Sequence, residues 1–149
     1  MNDEFFMIEA LKLAKLSFDE NEVPVGAVIV KDGKIVGRGR NRREQLKNAL
    51  SHAEIEAIND ACKMLNSWRL ENCDLYVTLE PCPMCAGAII NARINKVIYG
   101  VKDEKQGAVS SVISTFDLEF NHRPKVKFGV LEKECSDLLT SFFKTLRNN

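Results

Sequence analysis

The segment that decides the fold is residues 25–40, VGAVIVKDGKIVGRGR, in which two strand-like runs flank an Asp32-Gly33 pair. The first run, Val25 to Val30, is continuously apolar, as expected for a strand that is covered on both faces. Asp-Gly is a strong signal for a two-residue hairpin turn, and Lys34 to Arg40 supplies the returning strand. The sequence therefore predicts two antiparallel strands that are neighbours in one sheet.

The rest of the chain alternates between helix and strand patterns. Helices are predicted over Asp3 to about Asn21, from Ser51 through Leu65, over Cys82 to about Ala92 and over Lys133 to about Arg147, and strands over Asp74 to Leu79, Lys96 to Gly100 and Val126 to Leu131. The apolar face of the helix that starts at Ser51 is predicted to be Ile55, Ile58, Cys62 and Leu65. The stretch from Val101 to Asn121 shows no clear pattern. Helices that alternate with strands around a hairpin predict one α/β domain over residues 1–149, a three-layer α/β/α sandwich with a five-stranded mixed sheet.

Composition narrows the function classes. The formal net charge is zero, from 21 basic and 21 acidic residues, which excludes a generally basic protein that coats nucleic acid. Five cysteines, an odd number, argue against a pure disulfide framework. No apolar run approaches the roughly 20 residues of a membrane span, and the acidic start, Met1 to Glu4, lacks the basic region of a secretory signal. We therefore expect a cytoplasmic protein that does not bind membranes.

Two short motifs carry the chemistry: His52-Ala53-Glu54, and further along Pro81-Cys82-Pro83-Met84-Cys85. His52, Cys82 and Cys85 make three zinc ligands, one fewer than a closed structural site needs, so a fourth position stays open for water. Glu54 is then a carboxylate that can take a proton from that water and return it. The motifs predict one catalytic Zn²⁺ per subunit, with Glu54 as the catalytic acid and base.

Each motif also has a simpler explanation. Ser51-x-x-Glu54 matches a capping box, in which Glu54 would only bond the backbone at the start of a helix. Cys82 and Cys85 beside a strand and a helix would suit a redox pair. A redox pair has no use for a remote His-x-Glu, however, and a structural zinc site lacks its fourth ligand, since His122 is the only other histidine. The combination therefore favours a catalytic zinc site.

His-x-Glu followed by Pro-Cys-x-x-Cys is the signature of the zinc-dependent nucleobase deaminases. Most of the chain resembles the bacterial tRNA adenosine deaminases, a branch of the cytidine deaminase superfamily. The matching stretches are residues 22–28, 52–55, 75–82, 84–88, 121–123, 129–131 and 135–143. The resemblance implies a cytidine-deaminase-like fold, conversion of adenosine to inosine at the wobble position of a tRNA anticodon stem-loop, and no DNA substrate. It also implies a homodimer.

The resemblance further implies a set of substrate contacts. An asparagine amide can offer a base edge both a donor and an acceptor, and Asn41 matches the family position that does so. The backbone around Ala53 would help to orient the base. Asp103 resembles the family aspartate near the substrate backbone and ribose. Val23 and the run Asn121, His122 and Arg123 resemble positions that line the RNA-binding face.

Two other functions remain open. A deaminase of a free nucleobase or nucleoside, such as guanine or cytosine, is the second candidate. Pro83 stands where many tRNA enzymes have a small aliphatic residue, and the same variant occurs in guanine deaminases. Residues 42–51, which precede His52, also lack the Asp-Pro-Thr motif that many family members have at this point. A non-catalytic zinc or redox binding module is the third candidate.

Overall fold

The computed structural model describes residues 2–147. Its elements, in chain order, are α1 (Asp3–Asp19), β1 (Gly26–Lys31), β2 (Lys34–Arg40), α2 (Arg43–Leu46), α3 (Ala53–Leu65), β3 (Cys73–Leu79), α4 (Pro83–Ala92), β4 (Lys96–Val101), β5 (Lys125–Phe128) and α5 (Glu132–Arg147). A single 3-10 turn, Thr115–Asp117, interrupts the stretch between β4 and β5. Within the described residues, no helix has both the length and the apolar character needed to cross a membrane.

The five strands form one mixed sheet in the order β2-β1-β3-β4-β5. β1 is antiparallel to both β2 and β3, whereas β3, β4 and β5 run parallel. The predicted hairpin turn is confirmed, because Asp32 and Gly33 both have positive φ, 51° and 76°, as a type I′ turn requires. The strand order and directions confirm the predicted five-stranded mixed sheet. The Asp32-Gly33 turn fixes the register of β1 against β2.

Helices cover both faces of this sheet. The core on one face joins α3 and α4 to inward residues of the strands, such as Leu75 and Val97. The core on the other face joins α1, and Cys135 of α5, to Val28 and Ile98. Successive side chains of a strand point to opposite faces of the sheet, so neighbouring residues pack into the two different cores. The three-layer α/β/α sandwich that the sequence predicts is confirmed.

The apolar face predicted for α3 does contact the core, because Ile58, Cys62 and Leu65 pack against it, but it is not the most buried face of the helix. The fully buried stripe of this helix consists of Ala53, Ala57 and Ala61, each with no exposed surface. The larger side chains predicted for that face, Ile55, Ile58, Cys62 and Leu65, are only partly buried. The reason lies in β2: a Cβ atom at Gly39 would come within 2.1 Å of the Ala53 carbonyl oxygen, and one at Gly37 within 2.5 Å of the Ala57 oxygen. Two glycines facing small alanines let the helix lie so close that larger residues are displaced to its flanks.

The same topology brings three chain segments together at one edge of the sheet. β3 passes directly into α4 through Glu80, Pro81 and Cys82, so that α4 begins where β3 ends. α3 begins at the same edge, because the end of β2 is tied to its first residue by a hydrogen bond from the Ala53 N–H to the Asn41 side chain. The starts of α3 and α4 therefore face each other across the carboxyl end of β3.

Candidate active site

The three predicted metal ligands meet at this edge of the sheet. His52 directly precedes α3, Cys82 directly precedes α4, and Cys85 lies in the first turn of α4. The Nδ1 atom of His52 lies 3.6 Å from the sulfur of Cys82 and 3.6 Å from that of Cys85. One ligand atom from each residue lies within 4.8 Å of the other two. Residues about 30 positions apart in sequence thus form a single potential metal-binding group.

The backbone conformation at the starts of α3 and α4 directs the side chains of His52 and Cys82 towards each other. His52 and Cys82 both have extended backbones, with φ/ψ of −83°/155° and −75°/174°, and neither side chain caps its own helix. Pro83 is the first residue of α4, where a missing N–H costs nothing and the fixed φ favours a helix. Pro83 is also solvent-exposed. Its presence in the motif is therefore explained by the start of the helix.

Glu54 is buried beside the ligands, with 4% of its surface exposed. The capping-box explanation for this residue is wrong, because α3 begins at Ala53 with His52 as its N-cap. Ser51 instead donates its hydroxyl to Glu56. Burial raises the pKa of Glu54 to about 7. A carboxyl group that is freed from capping and titrates near neutrality has the properties of a general acid and base.

The two thiols are coupled to one another. A hydrogen bond from Cys85 lowers the pKa of Cys82 to about 4, and His52 adds to this effect against the opposing effect of burial. The bond to Cys82, together with burial, raises the pKa of Cys85. Cys82 is therefore a thiolate at neutral pH, and thiolate sulfur is the form that binds metal. A metal ion that displaces the proton of Cys85 would gain a second sulfur ligand.

The side-chain oxygen of Asn41 binds the backbone at the start of α3. Its Oδ1 accepts the N–H of Ala53 at 2.9 Å, which also identifies that atom as the oxygen, because a backbone N–H can only donate. The amide nitrogen Nδ2 takes no part in this bond. The acceptor Oδ1 is thus already used within the protein. The donor Nδ2 is the atom that a base could use.

Comparisons with known proteins agree with this geometry. The model of the MafB19-like deaminase family matches residues 1–147. A tRNA-specific adenosine deaminase from Bacillus subtilis (strain 168) is 48% identical over 146 residues, which cover 97% of this chain and 91% of that protein. The chain belongs to the tRNA-specific adenosine deaminases. The family resemblance inferred from the sequence motifs is confirmed.

Two solved structures resemble the deaminase over nearly its whole length. One comes from a study of A-to-I editing by tRNA:A34 deaminases at the wobble position; it is 45% identical, covers 91% of this chain and 99% of its own, and has a TM-score of 0.88. The other is a guanine deaminase from Bacillus subtilis, 35% identical, covering 100% of this chain and 96% of its own, with a TM-score of 0.66. The cytidine-deaminase-like fold is therefore shared by enzymes that act on different bases.

The deaminase has one buried polar group beside the ligand turn that the sequence analysis missed. Glu80, 2% exposed, directly follows β3 and lies two residues before Cys82. Its carboxylate accepts hydrogen bonds from the backbone N–H groups of Asp103, Val109, Ser110 and Ser111. Burial alone would raise the pKa of Glu80, but the bonds from Ser111, Ser110 and Asp103 outweigh it and leave the pKa lowered. A glutamate at the end of an apolar strand gives no sign in the sequence of partners 23 to 31 residues away.

Asp103 is half-buried at the start of the stretch that Glu80 holds. Its Oδ1 accepts the backbone N–H groups of Lys105 and Gln106 at 3.1 and 3.2 Å, so this oxygen forms a local turn. The turn explains the conformation of the residue but does not involve Oδ2. A role of Asp103 near the ribose stays a prediction, and Oδ2 is the atom that could perform it.

The remaining predicted contacts lie further from the ligands. Val23 is partly buried and packs against the core. Asn121 and Arg123 are exposed, and His122 donates its Nε2–H to the carbonyl of Ile94 at 2.7 Å. Ile94 lies two residues after the C-terminal end of α4, whereas Cys82 precedes its N-terminal end. The ten residues of α4 span about 15 Å. A single chain therefore does not bring Asn121, His122 and Arg123 to the metal ligands, and their contact with RNA stays a prediction.

Proposed function

We propose that this deaminase hydrolyses the amino group of the wobble adenosine in a tRNA anticodon stem-loop, producing inosine and ammonia. The observation that carries the proposal is the convergence of His52, Cys82 and Cys85 beside the buried carboxyl group of Glu54. The reaction class follows from this arrangement, and the substrate follows from the relatives.

Zinc fits the group of ligands in kind and in spacing. One imidazole nitrogen and two sulfurs are a donor set that zinc accepts, and tetrahedral coordination with Zn–S of about 2.3 Å and Zn–N of about 2.0–2.1 Å would separate nitrogen from sulfur by roughly 3.5–3.6 Å. The two separations between His52 Nδ1 and the cysteine sulfurs are both 3.6 Å. His52, Cys82 and Cys85 would therefore hold one Zn²⁺ per subunit through three protein ligands.

The residues of the chain divide the remaining work. When bound, zinc supplies a water molecule whose pKa is lowered towards neutrality. Glu54 accepts the proton of the attacking water, passes it to the ring nitrogen N1 of adenine, and then helps to protonate the departing ammonia. The Nδ2 donor of Asn41 and the backbone around Ala53 and Pro81 hold the base in place. Water adds to C6, the bond from C6 to the exocyclic nitrogen breaks, and no oxidant or reductant is consumed.

An anticodon loop suits a site of this kind. A base within a duplex must leave its stack before a pocket can enclose it, and a single-stranded loop makes this step less costly. Asp103, Asn121, His122 and Arg123 are the proposed contacts to the RNA outside the target base. In this role the protein works in the cytoplasm as one deaminase domain, without membrane or DNA partners.

We also propose a homodimer. The stretch between β4 and β5 exposes several large apolar side chains, with 43 to 61% of their surface accessible: Val112, Ile113, Leu118 and Phe120. An apolar surface of this kind supports an interface with a second copy. Light scattering of the purified protein, beside a Phe120→Ser variant, tests this assembly.

Deamination of free guanine is the second candidate. Pro83 and the relationship to guanine deaminase favour it, but the identity to the guanine enzyme of Bacillus subtilis is 35%, against 48% to the tRNA enzyme of the same species. The exposed position of Pro83 at the start of α4 gives it a structural reason that is independent of the base.

A direct assay separates the candidates. The zinc-loaded protein is incubated with an arginine-tRNA anticodon stem-loop and, in parallel, with free guanine, adenine and cytidine. We expect inosine at the wobble position and no ammonia from the free compounds. Ammonia from a free base with the stem-loop unchanged would retain the zinc chemistry and contradict the substrate. Zinc binding without deamination of any compound would favour a non-catalytic module.

A further inference from the structure

We infer that Glu80 is a positioning residue, which fixes the stretch from Asp103 to Ser111 against the turn that carries Cys82. This stretch is the 103–111 loop. The inference rests on the proposed function, because it assigns to the loop the task of placing the RNA substrate over the metal-binding group.

The hydrogen bonds of Glu80 are unusually concentrated on one segment. Its Oε1 accepts the Asp103 N–H at 3.1 Å and the hydroxyl of Ser111. Its Oε2 accepts the N–H groups of Val109, Ser110 and Ser111 at 3.0, 2.8 and 3.0 Å. All five partners are donors. An ionised carboxylate, which has two acceptor oxygens and no donor, accepts all five bonds.

The loop also closes tightly around this side chain. Gly107 lies so near that a Cβ atom there would stand 2.3 Å from the Glu80 carboxyl carbon. The N–H of Ala108 donates to the Pro81 carbonyl at 2.8 Å, immediately before Cys82. Ala108 and Val109 are buried, so this part of the loop is anchored in the core. Its position is therefore set relative to a metal ligand.

This arrangement assigns a role to a stretch that has no helix or strand of its own. Asp103, the candidate contact to the ribose, is the first residue that Glu80 holds. The ligands His52, Cys82 and Cys85 are held independently by the starts of α3 and α4. Loss of the Glu80 bonds should thus release the loop while the metal-binding group persists.

Glu80→Gln is the test, because a glutamine replaces one acceptor oxygen with an NH₂ group that faces the same donors. Glu71→Gln is the matched control: Glu71 lies before β3, at the opposite end of that strand, and its side chain is 59% exposed. For each variant we would measure amide hydrogen exchange, zinc content, and KM and kcat on the stem-loop. We expect exchange at Val109, Ser110 and Ser111 to accelerate by about tenfold or more in Glu80→Gln while the amides of β3 and β4 keep their protection.

Kinetics then separate a positioning role from a merely structural one. We expect KM for the stem-loop to rise by about tenfold with a smaller change in kcat and an unchanged zinc content. If Glu80→Gln does not fold, Gly107→Ala provides the second variant, because its methyl group displaces the carboxylate from the side of the loop. Unchanged exchange in the loop, or faster exchange with unchanged KM, would overturn the inference. An inactive wild-type protein would instead contradict the proposed function, while the exchange experiment would still report on the Glu80 bonds.

Discussion

The side-chain oxygen of Asn41 accepts the backbone N–H of Ala53 at 2.9 Å and so joins the end of β2 to the first residue of α3. His52 lies directly before this joint and Glu54 directly after it. A residue proposed to contact the base therefore also holds the helix that presents a metal ligand and the catalytic carboxyl group. The two roles use different atoms, Oδ1 for the helix and Nδ2 for the base.

The two roles of Asn41 can be separated by a pair of variants. Asn41→Asp keeps the acceptor for Ala53 and loses the donor, whereas Asn41→Ala loses both. We expect Asn41→Ala to lower the free energy of unfolding by about 1 kcal/mol, as for other lost N-terminal helix caps, and Asn41→Asp to lower it by less. Both should deaminate the stem-loop poorly. Urea unfolding and steady-state kinetics measure the two effects, and wild-type activity in Asn41→Asp would remove Nδ2 from base recognition.

The interpretation of Pro83 as a helix-start residue is tested by Pro83→Val, which introduces the kind of small aliphatic side chain found in many tRNA enzymes. Valine gives the unfolded chain more conformational entropy than proline does. We therefore expect the free energy of unfolding to fall by roughly 0.4–1 kcal/mol. The preference for the stem-loop over free guanine should not change. A shift of that ratio by tenfold or more would show that Pro83 takes part in choosing the base, since about 1.4 kcal/mol of differential binding would then depend on it.

Asp3 gives a prediction about pH. Its carboxylate accepts the Tyr76 hydroxyl at 2.6 Å and pairs with Lys127, so it connects α1 to β3 and β5. Burial alone would raise the pKa of Asp3, but the bonds from Lys127 and Tyr76 outweigh it and the pKa is lowered. A lowered pKa in the folded state means that the stabilisation is complete above the ordinary aspartate pKa of about 3.9 and is lost as the pH falls through the folded value.

Asp3→Asn should therefore unfold more easily than the wild type at about pH 7, and the difference should shrink as the pH falls below about 3.9, the ordinary aspartate pKa. Asp19→Asn, at the exposed end of the same helix, is the control for the loss of one aspartate charge from α1. Urea unfolding of the three proteins across this range measures it. A difference between wild type and Asp3→Asn that stays constant with pH would mean that the carboxylate contributes no charge-dependent stability.

Local signals explain which parts of the fold could be predicted. The strand Lys34–Arg40 was placed correctly because Asp32 and Gly33 adopt the positive φ angles that their residue types favour. The metal ligands could be grouped because His-x-Glu and Cys-x-x-Cys have a recognised chemical use. Each of these signals lies within a few neighbouring residues of the chain.

The errors and omissions concern interactions between distant parts of the chain. Periodicity predicts Ile55 and Ile58 on the apolar face of α3, but it does not show that Gly37 and Gly39, on another element, bring the helix so close that alanines occupy the centre of the contact. The stretch from Val101 to Asn121 had no pattern because much of it is organised by Glu80, whose partners lie far along the chain. Such contacts depend on the folded arrangement and leave no periodic signal.

The most direct test of the account measures zinc content and inosine formation together in Glu54→Ala. The ligands His52, Cys82 and Cys85 are unchanged in this variant, so we expect one zinc per chain and a circular dichroism spectrum like that of the wild type. Inosine formation on the stem-loop should fall by at least about 10²–10⁴-fold, the usual contribution of a general acid and base. Wild-type turnover in a zinc-loaded Glu54→Ala protein would contradict the account, because a different group would then have to move the proton.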